Sequence, residues 1–381
     1  MTTTVNIHGY TTRRNGNGTQ QSNGNGSYRT TTQTRTRNTN NTKRTNRVNS
    51  PLKARYRNQL NYDDVFIVPR FSEIASRSDV DVSVTLGNIR LAVPVISSNM
   101  DTITGWRMAR TMLENGAGAA LHRVNTIEEA VEEYRKAVEG LENLTEGAVF
   151  CTVGAVPLDE NLKRFEALYN AGARNFIIDI AHGHSENMKV MISKIREKYG
   201  NDVFLIAGNV ATYEGVRDLT YWGADVVKVG IANGSVCWTR RNTGVHVPQF
   251  SALLNIFSQD PQRRFKVIAD GGLTNYGDVA KAIGAGALAV MSGRLFAGCD
   301  ECPEEFVHGD RRLYRGLASR GVMDAMGKDR LPEGGEELVV SGGSATNVIF
   351  DIKDALQSAM SYSNARNISE FRRKVIFGSM R

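Results

Sequence analysis

The sequence predicts a (β/α)8 barrel preceded by a disordered, basic N-terminal arm. Three observations point there. Past residue 60, eight short apolar runs alternate with segments of helical period. Polar residues gather where seven of those runs end, as they do on the active face of such a barrel. Residues 1–62 hold eleven Lys/Arg and no Asp/Glu, and almost no apolar side chains.

The arm comes first in the chain. Stretches such as "TTTQTRTRNTNNTKRTNR" cannot bury enough surface to offset the entropy of ordering, so residues 1–50 are expected to be disordered and 51–381 to form the catalytic domain. The whole chain carries a formal +7, so the residues past 62 carry −4. The basic character belongs to the arm, which suits either a polyanion such as nucleic acid or plain solvation.

The strands are expected at Val93–Ser97, Ala117–Leu121, Val149–Val153, Asn175–Ile180, Val203–Ala207, Val226–Val229, Lys266–Ala269 and Leu288–Met291. Helical patterns lie between them: Trp106–Glu114, Ile127–Val138, Leu158–Ala171, Ser185–Lys198, Tyr213–Tyr221, Val247–Phe257 and Asp278–Ala285. A doubly wound open sheet is the alternative, but eight regular units in about 200 residues favour closure. No second folded domain of about 100 residues has room beside them.

The strand ends carry the chemistry. They read Ser97-Ser-Asn-Met-Asp-Thr102, His122-Arg123, Asp179-Ile-Ala-His-Gly-His184, Gly208-Asn209, "GIANGSVCWTRRNTG" from Gly230, Asp270-Gly271-Gly272 and Ser292-Gly293-Arg294. The glycines after strands seven and eight, with Ser235, form the usual phosphate place of a barrel. Asp270 can accept hydrogen bonds from ribose hydroxyls, or cap its own turn. Cys237 stands beside Arg240 and Arg241, and positive surroundings raise the thiolate fraction. Met100 could pack on a flat ring or simply fill the core. Asp179, His182 and Ser185 read as groups for a second substrate; the i, i+2 histidines His182 and His184 make a weak metal signal.

Some classes fall away. Four cysteines are too few for a disulfide scaffold and point to a reducing, cytoplasmic compartment. Cys299-Asp-Glu-Cys302 has no second ligand pair, so it reads as structural. No apolar run reaches membrane-spanning length, and the first residues lack the apolar core of a signal peptide.

Together these stretches resemble the IMP dehydrogenase / GMP reductase family. The resemblance covers residues 61–381, through "NYDDVFIVP", "SRSDVDVSVTLG", "NMDT", "IDIAHGHS", "AGNVAT", "GSVCWTRRNTGV", "ADGGLTNYGDVAKAIGAGA", "LFAGCDECPEE" and "YRGLAS". It implies a barrel whose cysteine attacks C2 of a purine nucleoside monophosphate. Cys237 would be the nucleophile and Thr239 its hydroxyl partner. Ser98 and Met100 would contact base and ribose, and Asp270 the ribose. Ser235, Gly271, Gly272, Gly293, Arg294, Tyr314 and Gly316 would complete the nucleotide site. Asp179, Ala181, His182 and Gly183 would meet a nicotinamide cofactor. Gly230, Ala232 and Cys237 would offer carbonyls to a potassium ion, and the family's tetramer would be the assembly.

The branch is read from what is missing. A dehydrogenase must hydrolyse its adduct with water activated by an Arg-Tyr pair on a flap, and usually carries inserted regulatory domains. Here Ile127–Val138 and Val149–Val153 follow one another directly. Only Gly-Lys-Asp-Arg-Leu-Pro separates Met326 from Glu333, and Arg330 is followed by Leu331. The resemblance therefore implies a GMP reductase using NADPH, with Glu333 assisting protonation of the departing ammonia. An IMP dehydrogenase using NAD is the alternative, and a non-catalytic nucleotide-binding barrel tethered to nucleic acid is a further one. The chain departs from the family at Ala232 and Asn233, at Trp238 beside the nucleophile, at His246, and in "DALQSAMSY". These departures bear on the potassium site and leave room for a deoxynucleotide or another purine.

Overall fold

The computed structural model describes Thr4–Val5 and residues 59–380, apart from 142, 304, 305, 326, 328 and 330. The expectation for residues 1–50 lies outside the described residues except at Thr4–Val5, a two-residue strand antiparallel to Phe377–Ser379.

Eight parallel strands close into a barrel. They are β1 (Val95–Ser97), β2 (Gly118–Leu121), β3 (Ala148–Val153), β4 (Asn175–Asp179), β5 (Phe204–Val210), β6 (Val226–Val229), β7 (Val267–Asp270) and β8 (Ala289–Ser292). The seam pairs β8 with β1, Val290 opposite Val95 and Ser292 opposite Ser97. Each strand is short and mostly apolar because both of its faces are covered, by the packed barrel interior and by the helices.

The helices between the strands are α1 (Trp106–Glu114), α2 (Ile127–Val138), α3 (Leu158–Asn170), α4 (Glu186–Tyr199), α5 (Tyr213–Trp222), α6 (Thr239–Thr243), α7 (Gln249–Gln259) and α8 (Tyr276–Ala285). Their starts are locally encoded. Thr126 and Asn275 cap α2 and α8 with reciprocal side-chain bonds from Glu129 and Asp278. α6 is a single short helix that begins at Thr239, inside the cysteine loop. The eighth barrel helix, α10 (Ala345–Tyr362), packs on α1 and α8.

Between β8 and α10 the chain leaves the barrel. It forms an antiparallel sheet of β9 (Phe306–His308), β10 (Arg311–Arg315) and β11 (Glu336–Val340), with α9 (Arg320–Ala325) between the last two. This excursion matters for function because it hangs Tyr314, Gly316 and Glu333 over the C-terminal ends of the strands.

Candidate active site

A cavity of about 970 Å³ opens at the C-terminal end of the barrel, at the upper end of the range for small-molecule sites. Cys237, Thr239, Glu333, Ser98, Met100, Ser235, Asp270, Gly271, Gly272, Gly293, Arg294, Tyr314, Gly316, Asp179, Ala181, Gly230 and Ala232 all line it. His182 and Gly183 do not; His182 is exposed and Gly183 is buried against Gly208 and Asn209.

At its centre three side chains form a chain. The Cys237 thiol donates to Thr239 Oγ1 at 3.4 Å, and Thr239 Oγ1 donates to Glu333 Oε2 at 2.8 Å. The geometry follows from how two loops are stitched together. Trp238 N donates to Glu333 O at 2.7 Å, and Gly335 N to Val236 O at 2.7 Å. Gly334 N donates to Ala318 O at 2.9 Å. Residues 333–335 thus lie along the nucleophile loop like a short antiparallel strand. Gly334 and Gly335 are required there: a Cβ on Gly334 would stand 2.7 Å from Ser319 N, and one on Gly335 would stand 2.5 Å from the Trp238 ring.

The glycine turns build a second wall. Gly271 and Gly272 have φ of 84° and 78°, the left-handed region open to glycine. Gly293 sits so close to its neighbours that a Cβ would lie 2.8 Å from Met100 Sδ and 3.0 Å from Tyr314 Oη. Met100 is therefore at the cavity and not in the deep core. Tyr314 is 3% exposed, and burial raises its phenol above its ordinary value against the opposing pull of Ser235 and Arg294. Arg294 pairs with Glu337 of β11.

Behind both walls lies a charged cluster that sequence reasoning missed. Lys228, on β6, is 1% exposed. Its ammonium lies 2.7 Å from Asp179 Oδ2, and it also pairs with Asp270 Oδ2. Asn99 Nδ2 donates to Asp179 Oδ2 at 3.1 Å, and Asn209 Nδ2 to Asp270 Oδ2 at 2.8 Å. Burial alone would lift the Asp179 carboxyl, but Lys228, Arg123 and Asn99 together hold it below its ordinary value. Burial acts to lower the Lys228 ammonium, and the two carboxylates reverse this and raise it. The available signal was one charged residue inside an otherwise apolar four-residue strand.

Of the loop carbonyls read as cation ligands, that of Gly230 accepts from a protein donor, Asn209 Nδ2, at 2.7 Å. Asn233 Nδ2 sits among Ile231 O, Val247 O and Gln249 Oε1 at 2.8–3.2 Å, and His246 Nδ1 also approaches Ile231 O at 3.2 Å. No step below runs through a potassium ion. A nicotinamide group does fit: Asp179 and Ala181 border the cavity, and Asp179 keeps Oδ1 without a protein hydrogen bond among the described residues.

The remaining cysteines play no part in this site. Cys151, Cys299 and Cys302 are free and buried. Burial raises all three thiols, Cys302 to about 12. His184 bonds Asp218 at 2.9 Å. Among the described residues no cluster of His, Cys, Asp or Glu could hold a metal ion, and no helix is long and apolar enough to cross a membrane.

Known proteins match this arrangement. Residues 59–380 match the IMP dehydrogenase / GMP reductase domain. GMP reductase from Leptothrix cholodnii is 36% identical over 316 residues, covering 82% of this chain and 94% of that protein. Inosine-5'-monophosphate dehydrogenase from Borreliella burgdorferi is 34% identical over 372 residues, covering 82% and 92%. A cysteine-to-alanine variant of GMP reductase from Trypanosoma brucei, solved in complex with guanosine 5'-monophosphate, superposes with a TM-score of 0.78 at 26% identity. That comparison covers 86% of this chain and 97% of the other. On its fold, its cysteine loop and these matches, the chain belongs to the IMP dehydrogenase / GMP reductase family.

Proposed function

We propose that the protein is a GMP reductase, converting GMP to IMP and ammonia with NADPH as the reductant. The observation that carries this is the Cys237–Thr239–Glu333 hydrogen-bond chain. It supports a proton account that balances. The thiol proton passes through Thr239 to the Glu333 carboxylate, and the thiolate adds to C2 of the purine. Glu333, now an acid, returns that proton through Thr239 to the amino group on C2. The C–N bond breaks, ammonia leaves, and a thioether between Cys237 and C2 remains. A reduced nicotinamide held beside Asp179 and Ala181 would supply the hydride for C2. The C–S bond then breaks, its electron pair returns to sulfur, IMP departs, and the Cys237 thiolate takes one proton from solvent to restore the starting thiol.

The rest of the site holds the reactants in place. Asp270 accepts from the ribose hydroxyls of GMP. Ser235, Gly272, Gly293 and Tyr314 surround its phosphate, while Ser98 and Met100 bear on base and sugar. Asp179 and Ala181 face the cofactor, with His182 and Gly183 beyond the cavity wall. The homologues include dehydrogenases as well as reductases, so the reaction itself is the test. GMP with NADPH should yield IMP and ammonia, while IMP with NAD should yield no xanthosine monophosphate. NADH and xanthosine monophosphate from IMP, with no ammonia from GMP, would assign the dehydrogenase reaction instead.

A further inference from the structure

Lys228 is the deepest charged side chain facing the cavity, and nothing in the reaction above uses it. It stands one residue before the end of β6, between the strands that carry Asp179 (β4) and Asp270 (β7). The two carboxylates are bound in the same way. Each gives Oδ2 to the Lys228 ammonium and to one carboxamide, Asn99 on the Asp179 side and Asn209 on the Asp270 side. Each leaves Oδ1 without a protein hydrogen bond among the described residues.

This leaves one oxygen per carboxylate for a ligand hydroxyl. A free carboxylate can rotate and offer either oxygen; one pinned through Oδ2 by an ammonium and an amide offers only Oδ1, in a fixed direction. The cluster's net charge is one negative, so it still attracts hydroxyl donors. An ammonium this buried needs both carboxylates, because removing the compensation of a buried charge is costly.

We propose that Lys228 is a positioning residue that aims Asp270 and Asp179 at the sugar hydroxyls of the nucleotide and of the cofactor, making the site selective for ribose over deoxyribose. The inference rests on the reductase reading for the identity of the two ligands. Its physical content is that one ammonium sets the direction of two acceptors carried by two different strands.

The test compares GMP with 2′-deoxy-GMP, and measures KM for the cofactor, in the wild-type protein and in Lys228→Met. The wild type should prefer GMP by roughly tenfold or more in kcat/KM, the worth of one hydrogen bond to a charged acceptor. Lys228→Met should bring the two nucleotides within about twofold of each other and raise the cofactor KM about tenfold. A purely structural lysine would lower Tm and kcat and leave the ribose preference intact, which would overturn the proposal. Should Lys228→Met fail to fold, Lys228→Met with Asp179→Asn keeps the cluster at one negative charge and should lose the preference in the same way. Calorimetric binding of GMP and 2′-deoxy-GMP reads the same preference without turnover. A protein that binds but does not reduce GMP would therefore fail the reductase reading alone, and one that reduces GMP with an unchanged preference in Lys228→Met would fail this proposal alone.

Discussion

Thr239 Oγ1 lies 2.8 Å from Glu333 Oε2, although 94 residues separate them in the chain. The hydroxyl comes from the first turn of a five-residue helix after β6, and the carboxylate from an excursion outside the barrel. Their contact joins the nucleophile to an acid, and the first prediction concerns that acid.

Glu333→Gln should slow ammonia release from GMP by about a hundredfold or more, the usual range for a general acid. The glutamine keeps the shape of the contact but cannot store the thiol proton. GMP affinity should change far less. Single-turnover ammonia release, with equilibrium binding in parallel, checks it; a variant with the wild-type release rate would remove Glu333 from the proton path.

Cys237→Ala should abolish turnover and leave GMP binding within about tenfold, or 1.4 kcal/mol. Cys237 borders the cavity, but the glycine turns and Asp270 make the nucleotide contacts proposed above. Mass spectrometry of the quenched wild-type reaction should find a purine joined to the peptide containing Cys237, and none in the variant. Residual catalysis in the alanine protein would contradict the covalent route.

Gly230→Ala should damage the site through packing. A Cβ there would stand 2.0 Å from the carbonyl of Asp270, so the backbone of β7 or of the cysteine loop must move. Overpacking of this kind costs about 1–3 kcal/mol. Tm should fall and the KM for GMP should rise, because the displaced residue is the proposed ribose acceptor. Unchanged thermal stability would show that the loop yields freely.

Acid should expose the charged cluster. The folded-state value of Asp179 is depressed, so the stability it contributes is fully present above the ordinary carboxylate value near about 4 and is lost as pH falls through the depressed one. Lys228 is raised, so its contribution is present below the ordinary lysine value and is lost only as pH rises through the raised one. The Tm gap between wild type and Lys228→Met should be widest near neutrality and should narrow below about pH 4. A gap that stays constant from pH 7 to pH 3 would mean that the ammonium does not stabilise the ionised carboxylate.

The arm can be tested apart from the chemistry. Removing residues 1–50 should leave kcat and the KM for GMP unchanged, since the described cavity lining begins at Asn61. If the arm's positive charge serves a polyanion, the full-length chain should bind DNA or RNA with a steep salt dependence that the truncated chain lacks. Loss of activity on truncation would place part of the arm at the site.

The barrel was legible because its strands are short apolar runs at even spacing, and tertiary structure moved their ends by at most three residues, the most at the C-terminal end of β5. β6 falls at Val226–Val229, as expected. α10 escaped because no barrel strand follows it to mark its end, and β10 and β11 because they carry no continuous apolar run: β11 has no buried residue and β10 only two. Cys237, Asp270 and the glycines could be read from strand ends. Glu333 came only through family resemblance, since nothing local marks a carboxylate that meets its partner 94 residues away. Lys228 was hidden for the opposite reason. It lies inside a strand read as core, and its function depends on two carboxylates from other strands.

The ring of Trp238 lies against Gly335, one residue from the reactive sulfur. The other two tryptophans, Trp106 on α1 and Trp222 on α5, lie on barrel helices rather than in the nucleophile loop. The protein therefore carries a built-in optical probe. Formation of the thioether brings a purine against the loop that holds this indole, so its emission should report the covalent state during turnover without an added label. Replacing Trp106 and Trp222 with phenylalanine would leave one fluorophore, turning a stopped-flow trace into a direct record of adduct formation and decay.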